Sequence, residues 1–356
     1  MDRTRSPWFP TPRIVCLIVI FLALSALRAA FAPHATNPGG SDTMAAAHRV
    51  MDTGILTYDL AIAGHSDHLI AVNADERERA MSAGIGQYFR AIANLPAFRF
   101  PIDPEEVMVA RPGAIFISRD WIDSLTGFGL SGLTELNYDP RSSPKIKTAT
   151  WALLGHLTGE EDRAVALSSA YLKQRLALTT TLRGIRQVGV VILVGGPNSW
   201  SIAGEGYYLN DLIAAAKGMN LTGSSADYPQ VDLEQLLSID PETILLNSQP
   251  GDATTPEDIY RDPNWQILRA VRAKRIYKLP RFAIYLGPAE DAILLEWLAT
   301  VLHPELSIPV REDMRTTYRS VYARTLTDGE INAALNCPLN SSSVGSDGCL
   351  SASGFK

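Results

Sequence analysis

Cysteine is scarce: three in 356 residues, Cys16, Cys337 and Cys349. So few thiols exclude a four-cysteine iron–sulfur cluster or structural zinc site. Histidine is sparse as well. His34, His48, His65, His68, His156 and His303 are scattered, with His65 and His68 the one close pair. A bare transition-metal ion needs three or four converging ligands, so no resident metal is assigned. Basic runs are missing, and the formal net charge is −6; nucleic-acid binding, which needs clustered Lys and Arg, is not expected. There is no Gly-x-Ser-x-Gly elbow and no phosphate-binding loop, and Gly204-Glu-Gly206 alone does not specify a nucleotide. No catalytic residue or cofactor is therefore assigned. Long apolar runs are absent but for residues 14–24, well short of the ~20 residues that span a bilayer as a helix.

That short run has its own meaning. Arg3, Arg5 and Arg13 precede it and Ala30-Phe31-Ala32 follow it, the layout of a secretory signal peptide over residues 1–32. A retained anchor is the alternative. Pro33 directly after Ala32 leaves the cut open between Ala29 and a point past Ala35. Cys16 lies inside the run and does not have the setting of a lipid-modified cysteine. Four arginines and one aspartate leave with residues 1–32, so the net charge of −6 becomes −9. A soluble exported protein is expected. In an oxidising compartment Cys337 and Cys349 are placed to pair as a local clip. They lie in a Ser/Gly-rich tail, residues 336–356, expected to be poorly ordered.

The remaining chain is 46% hydrophobic and 20% charged, an ordinary globular composition long enough for two cores. Residues 48–54 read as a strand, 55–63 as a helix with Ile55, Tyr58 and Ile62 at helical spacing, and 67–73 as a second strand, the unit of an α/β fold. The stretch "IDPEEVMVARPGAIFIS" (102–118) recurs 129 positions later as "VDLEQLLSIDPETILLN" (231–247). In the second copy Asp232 is placed to cap a helix with Leu233, Leu236, Leu237 and Ile239 as its apolar stripe. Pro241 ends it and 243–246 is a buried strand. In the first, Val107, Met108 and Ala110 make the stripe, Pro112 the stop and 114–117 the strand. Glu105 aligns with Glu234 and Ile115 with Ile244. Helix, proline, strand is a common succession in α/β chains, so chance stays open. Between the copies, Thr158-Gly-Glu-Glu161 has the form of a capping box opening a helix to about Arg183, a rod of roughly 38 Å. Residues 188–194 then read as a strand, 195–200 as a loop and 207–216 as a helix. The fold class is α/β, with an N-terminal lobe at 44–157, a connecting helix at 158–184, a C-terminal lobe at 187–335 and the tail at 336–356.

Six stretches carry a resemblance: "HRVMDTG" with "SDHLIAVN", "LLGHLTGEEDRAVALSSAYLKQRL", "AAKGMNLTG", "YPQVDLEQLLSIDPETILLN", "DPNWQILRAVRAKRIYKLP" and "EWLATVLHPEL". In this order they resemble the substrate-binding proteins of ABC importers for ferric siderophores, haem, cobalamin and related metal chelates. The usual Pro-Asp after each repeated helix is Pro112-Gly and Pro241-Glu here, a departure from the pattern. The resemblance implies two Rossmann-like lobes joined by a single long rigid α-helix, with the ligand cleft between the lobes. It implies a periplasmic monomer whose partners are a metal chelate and the permease dimer of an ABC transporter in the inner membrane. Glu105 and Glu234 would meet arginines on that transporter; as ordinary first-turn carboxylates they would also favour their helix N-termini. A ferric siderophore is the first choice of ligand, then cobalamin or haem, then an oxyanion such as molybdate. An enzyme or chelatase on this fold is the remaining alternative.

In open parallel sheets ligands bind beyond the carboxyl ends of the strands. The loops expected there carry Arg119, Trp121, Trp200, Arg281 and Tyr285, with Tyr207 at a helix start and Tyr88 in an irregular segment of the first lobe. Guanidinium groups pair with anionic oxygens and aromatic faces cover planar parts, a mixture suited to a bulky anionic chelate. For any one of the aromatics, core packing is the competing role.

Overall fold

The computed structural model describes residues 49–52, 68–88, 90–99, 102–118, 134–138, 143–196, 199–226, 228–249, 252–284, 287, 289–346 and 348–350. The signal-peptide segment, the helix expected at 55–63, and Arg119, Trp121 and Tyr285 lie outside them.

Two sheets organise the chain. The first holds β1 (Val50–Asp52), β2 (Leu69–Asn73), β3 (Ala97–Phe98), β4 (Ala114–Ser118) and β5 (Thr134–Tyr138), all parallel, in the order β3-β2-β1-β4-β5. Around it run α1 (Ala74–Ala83), α2 (Arg90–Ala93) and α3 (Pro104–Ala110). Two helices follow, α4 (Pro144–Thr158) and α5 (Glu161–Thr181). The second sheet holds β6 (Val188–Gly196), β7 (Ser199–Ile202), β8 (Gly218–Asn220), β9 (Thr243–Leu246) and β10 (Ile276–Lys278), with β8 and β7 on the same strand β6, then β9 and β10. Its helices are α6 (Asn210–Ala215), α7 (Leu233–Ile239), α8 (Pro256–Arg261), α9 (Arg269–Arg272), α10 (Glu290–Leu302), α11 (Val310–Tyr322), α12 (Asp328–Ala334) and α13 (Cys337–Asn340). Parallel strands are covered on both faces and so are built from apolar runs; Val190, Val191, Ile192 and Leu193 are all fully buried. The order β2-β1-β4-β5 in one sheet is matched by β8-β6-β9-β10 in the other, and the repeated segment supplies α3 before β4 and α7 before β9. The sequence repeat is a structural repeat.

The connecting helix needs correction. Thr158 does not open it but closes α4, because Gly159 adopts the left-handed conformation at φ 74° and donates its N–H to the Gly155 carbonyl. α5 starts at Glu161 with no side-chain cap and spans 21 residues, about 32 Å. Gly155 is required where the two helices cross, since a Cβ there would lie 2.6 Å from that of Ala164. Trp151 of α4 meets Tyr171 of α5 edge-on at 5.3 Å, packed with Leu167 and Ala292.

All 13 residues of α10 are buried, including Glu290, Asp291 and Glu296. Buried charges persist only when compensated. Asp291 lies 3.6 Å from Lys147 and 3.7 Å from Arg175, Tyr322 donates to Glu290 at 2.6 Å, and Gln174 donates to Glu296 at 2.8 Å. Helices α4, α5 and α11 are thus bound to α10 by polar contacts as well as apolar ones. Burial pushes the carboxyls of Glu290 and Asp291 up, and burial, with Asp313 nearby, pushes Glu296 up to about 8.

The tail also differs from expectation. Cys337 and Cys349 are disulfide-bonded, with Cα atoms 5.2 Å apart, and Asn336, Asn340, Ser343 and Ser346 are buried. Strand β10 is an edge of its sheet, with backbone groups to satisfy. The Asn340 side chain accepts from Lys278 N (2.7 Å) and donates to Lys278 O (2.9 Å), and Ser343 donates to Ile276 O at 2.5 Å. Tyr277 of β10 donates to the Val344 carbonyl at 2.8 Å. Within the segment expected to be loose, Asn340, Ser343 and Val344 close the sheet edge. No helix among the described residues is long and apolar enough to cross a membrane.

Candidate ligand-binding site and docking helices

The two lobes meet where the end of α1 reaches the 3-10 turn Arg281–Ile284, which follows β10. Phe282 and Ala283 are fully buried in one apolar cluster with Ala80, Ala83 and Ile85 of the first lobe. Arg281 stays exposed, and its Nε and Nη2 donate to the Ser82 carbonyl at 3.0 and 2.6 Å. The guanidinium therefore stands beyond the carboxyl end of β10 and ties one lobe to the other. Tyr88 closes the 3-10 turn Gly86–Tyr88 just past α1.

Next to Arg281 lies an aromatic group. Tyr208 donates its hydroxyl to the Ala283 carbonyl at 2.8 Å, its ring is 4.6 Å from that of Tyr207, and Tyr228 stands edge-on to Tyr207 at 6.1 Å. Tyr207 is buried, and burial pushes both phenols up, so both stay neutral. The expected helix at 207–216 begins only at Asn210, which leaves the tyrosine pair in the preceding turn. Tyr228, 47% exposed, is the ring of the three open to solvent. In the sequence it opens the stretch "YPQV", where no local pattern marks it as part of a site. Trp200 is not brought here. It sits on strand β7, not on a loop, and packs edge-on against Trp265 at 5.9 Å in a separate cluster with Leu221 and Val231.

The carboxyl end of β9 adds polar groups. Asn247 is buried; its Oδ1 accepts from Ser248 N at 2.9 Å, and its Nδ2 has no hydrogen-bond partner among the described residues. Buried Lys278 holds the adjoining loop by donating to the carbonyls of Asp252 and Thr254 at 2.9 and 3.1 Å, and burial lowers its pKa. Asn336 of the tail donates to Ser248 Oγ at 3.0 Å and to the Leu279 carbonyl at 2.6 Å. Among the described residues no three His, Cys, Asp or Glu side chains converge as metal ligands. The arrangement suits recognition by hydrogen bonds and ring faces, with donors at Arg281 and Asn247.

The repeated helices agree in detail. Asp103 accepts from Glu105 N at 2.9 Å and Asp232 from Gln235 N at 2.8 Å, the latter within a full capping box. Arg111 and Asp240 end the helices in the left-handed conformation, at φ 48° and 44°. An arginine grips each end: Arg49 donates to the Ala110 and Arg111 carbonyls at 2.7 and 3.1 Å, and Arg269 donates twice to the Asp240 carbonyl at 2.9 and 2.5 Å. Val107 and Leu236 are buried, whereas Glu105 and Glu234 are exposed in the first turns.

A search of curated proteins finds no match. Solved structures do match. A periplasmic solute-binding protein from Veillonella parvula aligns over 83% of this chain and 93% of its own, at 20% identity and a TM-score of 0.70. The molybdate periplasmic binding protein MolA of Haemophilus influenzae aligns over 79% and 94%, at 16% identity and 0.65. The periplasmic vitamin B12 binding protein BtuF of Vibrio cholerae aligns over 72% and 97%, at 16% identity and 0.60. Residues 148–282, which run from α4 through the second sheet, match the family model described as periplasmic binding protein. Residues 148–282 thus match the periplasmic-binding-protein family model, and the chain has the two-lobed α/β fold seen in these solved periplasmic binding proteins.

Proposed function

We propose that the protein is the exported solute-binding component of an ABC importer. It takes a metal chelate, a ferric siderophore in the first instance, into the cleft between its lobes and delivers it to a permease dimer in the inner membrane. The observation that carries this reading is the pair α3 and α7, alike in cap, clamp and exposed glutamate, one in each lobe. Exposed ion pairs contribute only ~0–1 kcal/mol each, which suits a dock that must release, while complementary charge speeds encounter. Arg281, with Arg119, Trp121, Tyr88 and Tyr285, is the proposed ligand-contacting set. Tyr207 acts behind it through packing, and Trp200 is set aside because it packs against Trp265 in a separate cluster.

The test is equilibrium binding of the mature chain to ferric hydroxamate and catecholate siderophores, haem, cobalamin and molybdate, followed by tryptophan quenching and native mass spectrometry. One class should bind at a single site per chain. Binding of molybdate alone would move the ligand to the oxyanions, and binding of none would sink the chelate reading.

A further inference from the structure

Met108 and Leu237 hold the same place in the two copies, each three residues after its glutamate and each opposite in role to its buried neighbour, Val107 or Leu236. Residues three apart on a helix share a face. Met108 is 58% exposed and Leu237 44%. A single apolar side chain in water needs no explanation, since folded surfaces contain many. Recurrence at one register of a duplicated, aspartate-capped helix is different, because in both copies the apolar side chain stands about half in solvent beside a buried neighbour. Exposed carboxylates stand at the cap and first turn before both: Asp103, Glu105 and Glu106 in the first lobe, Asp232 and Glu234 in the second. In the first lobe Glu105, Met108, Val109 and Arg111 line a shallow depression of about 610 Å³.

We infer that Met108 and Leu237 are the apolar anchors of a two-point contact with one partner that presents the same socket twice, an apolar hollow rimmed by basic side chains and repeated by a two-fold axis. Two equivalent patches on one chain match two equivalent receivers, and a partner built from two copies of one subunit supplies them without a second design. The carboxylates call for a basic rim. Desolvated apolar centres hold a complex together while peripheral charges steer its formation, so the anchors govern release and the glutamates encounter. This rests on the importer reading and names the contact that exposed ion pairs alone would not supply.

The test uses the full chain in its native host, carrying the photo-crosslinker p-benzoylphenylalanine at position 108 or 237, with controls at Met81 and Met219, both 48% exposed. Positions 108 and 237 should crosslink to one and the same membrane polypeptide, and positions 81 and 219 should not. In titrations of tagged chain against solubilised membranes, Met108→Ser and Leu237→Ser should each weaken capture of that polypeptide about tenfold, and the pair more than either. Melting should be unchanged. Crosslinks to different polypeptides, to none, or equally from the controls would overturn the inference. If serine at both positions leaves capture intact while Glu105→Ala with Glu234→Ala removes it, the anchors fail and the importer reading stands. A soluble polypeptide at both positions would leave the anchors and remove the importer.

Discussion

Arg281 and Glu296 show how one side chain couples lobes or helices that the sequence separates widely. Arg281 commits Nε and Nη2 to the Ser82 carbonyl, which leaves three of its five N–H donors for the proposed anionic ligand. Arg281→Ala should lower chelate affinity roughly ten- to a hundredfold, the range for a lost charge-assisted contact. Because the group is exposed, melting should change little. Calorimetric binding beside a thermal melt checks both, and unchanged affinity would remove Arg281 from the ligand set. Glu296 carries a pH prediction. Its folded pKa, pushed up to about 8 by burial, exceeds the ordinary value near 4.5, so folding favours the protonated form. Stability should fall as pH rises from about 4.5 to 8 and level off above that, by an amount on the order of a few kcal/mol. Glu296→Gln should flatten that part of the melting-temperature profile, and a variant whose profile parallels the parent's would contradict it. Arg281 was legible in the sequence as a basic residue after a strand. Glu296 was not, because a lone acid in "LLEWLA" gives no sign of the Gln174 and Asp313 that meet it in space.

Among the elements, α3 and α7 were legible because capping and termination are local: an aspartate, seven helical residues, a proline two places on. The exposed glutamates contribute only ~0.3–1 kcal/mol each to their helices. Glu105→Ala with Glu234→Ala should therefore leave folding and ligand affinity intact and greatly reduce transport, measured as uptake by cells lacking the native protein. Normal uptake would reduce both to helix-start residues. The box at Thr158 misled because the same residues can end one helix or begin the next, and the glycine between them resolved it as an ending. Trp200 misled because a glycine pair suggests a loop, whereas Gly195 and Gly196 are ladder residues of β6, paired with Trp200 and Ser199 of the antiparallel strand β7. The tail carries no apolar periodicity, and its order comes from Asn and Ser side chains that satisfy β10, a pairing invisible until the sheet edge is known. Its clip should matter: Cys337→Ser with Cys349→Ser should cost about 2–3 kcal/mol by denaturant unfolding. Amide exchange should quicken along β10, and unchanged exchange there would separate the clip from the edge.

The whole molecule has two sheets but a shared core. One apolar cluster takes in Val50, Val72 and Ile85 from the first lobe and Leu279, Phe282 and Trp297 from the second. Unfolding should be a single cooperative transition, and Phe282→Ala, a loss of about 3–5 kcal/mol at the junction, should lower the melting of both lobes together. Two resolved calorimetric transitions would mean that the lobes fold independently. The sealing of β10 has a further consequence for biosynthesis. Asn340 and Ser343 leave the ribosome after every strand of the sheet they cover, so a nascent second lobe holds an unsatisfied strand edge until they arrive. An unpaired edge is a template for pairing with another chain. A chain interrupted before residue 336 would carry every strand of the fold and still expose that template, which makes it a target for aggregation and proteolysis and not a shortened binding protein.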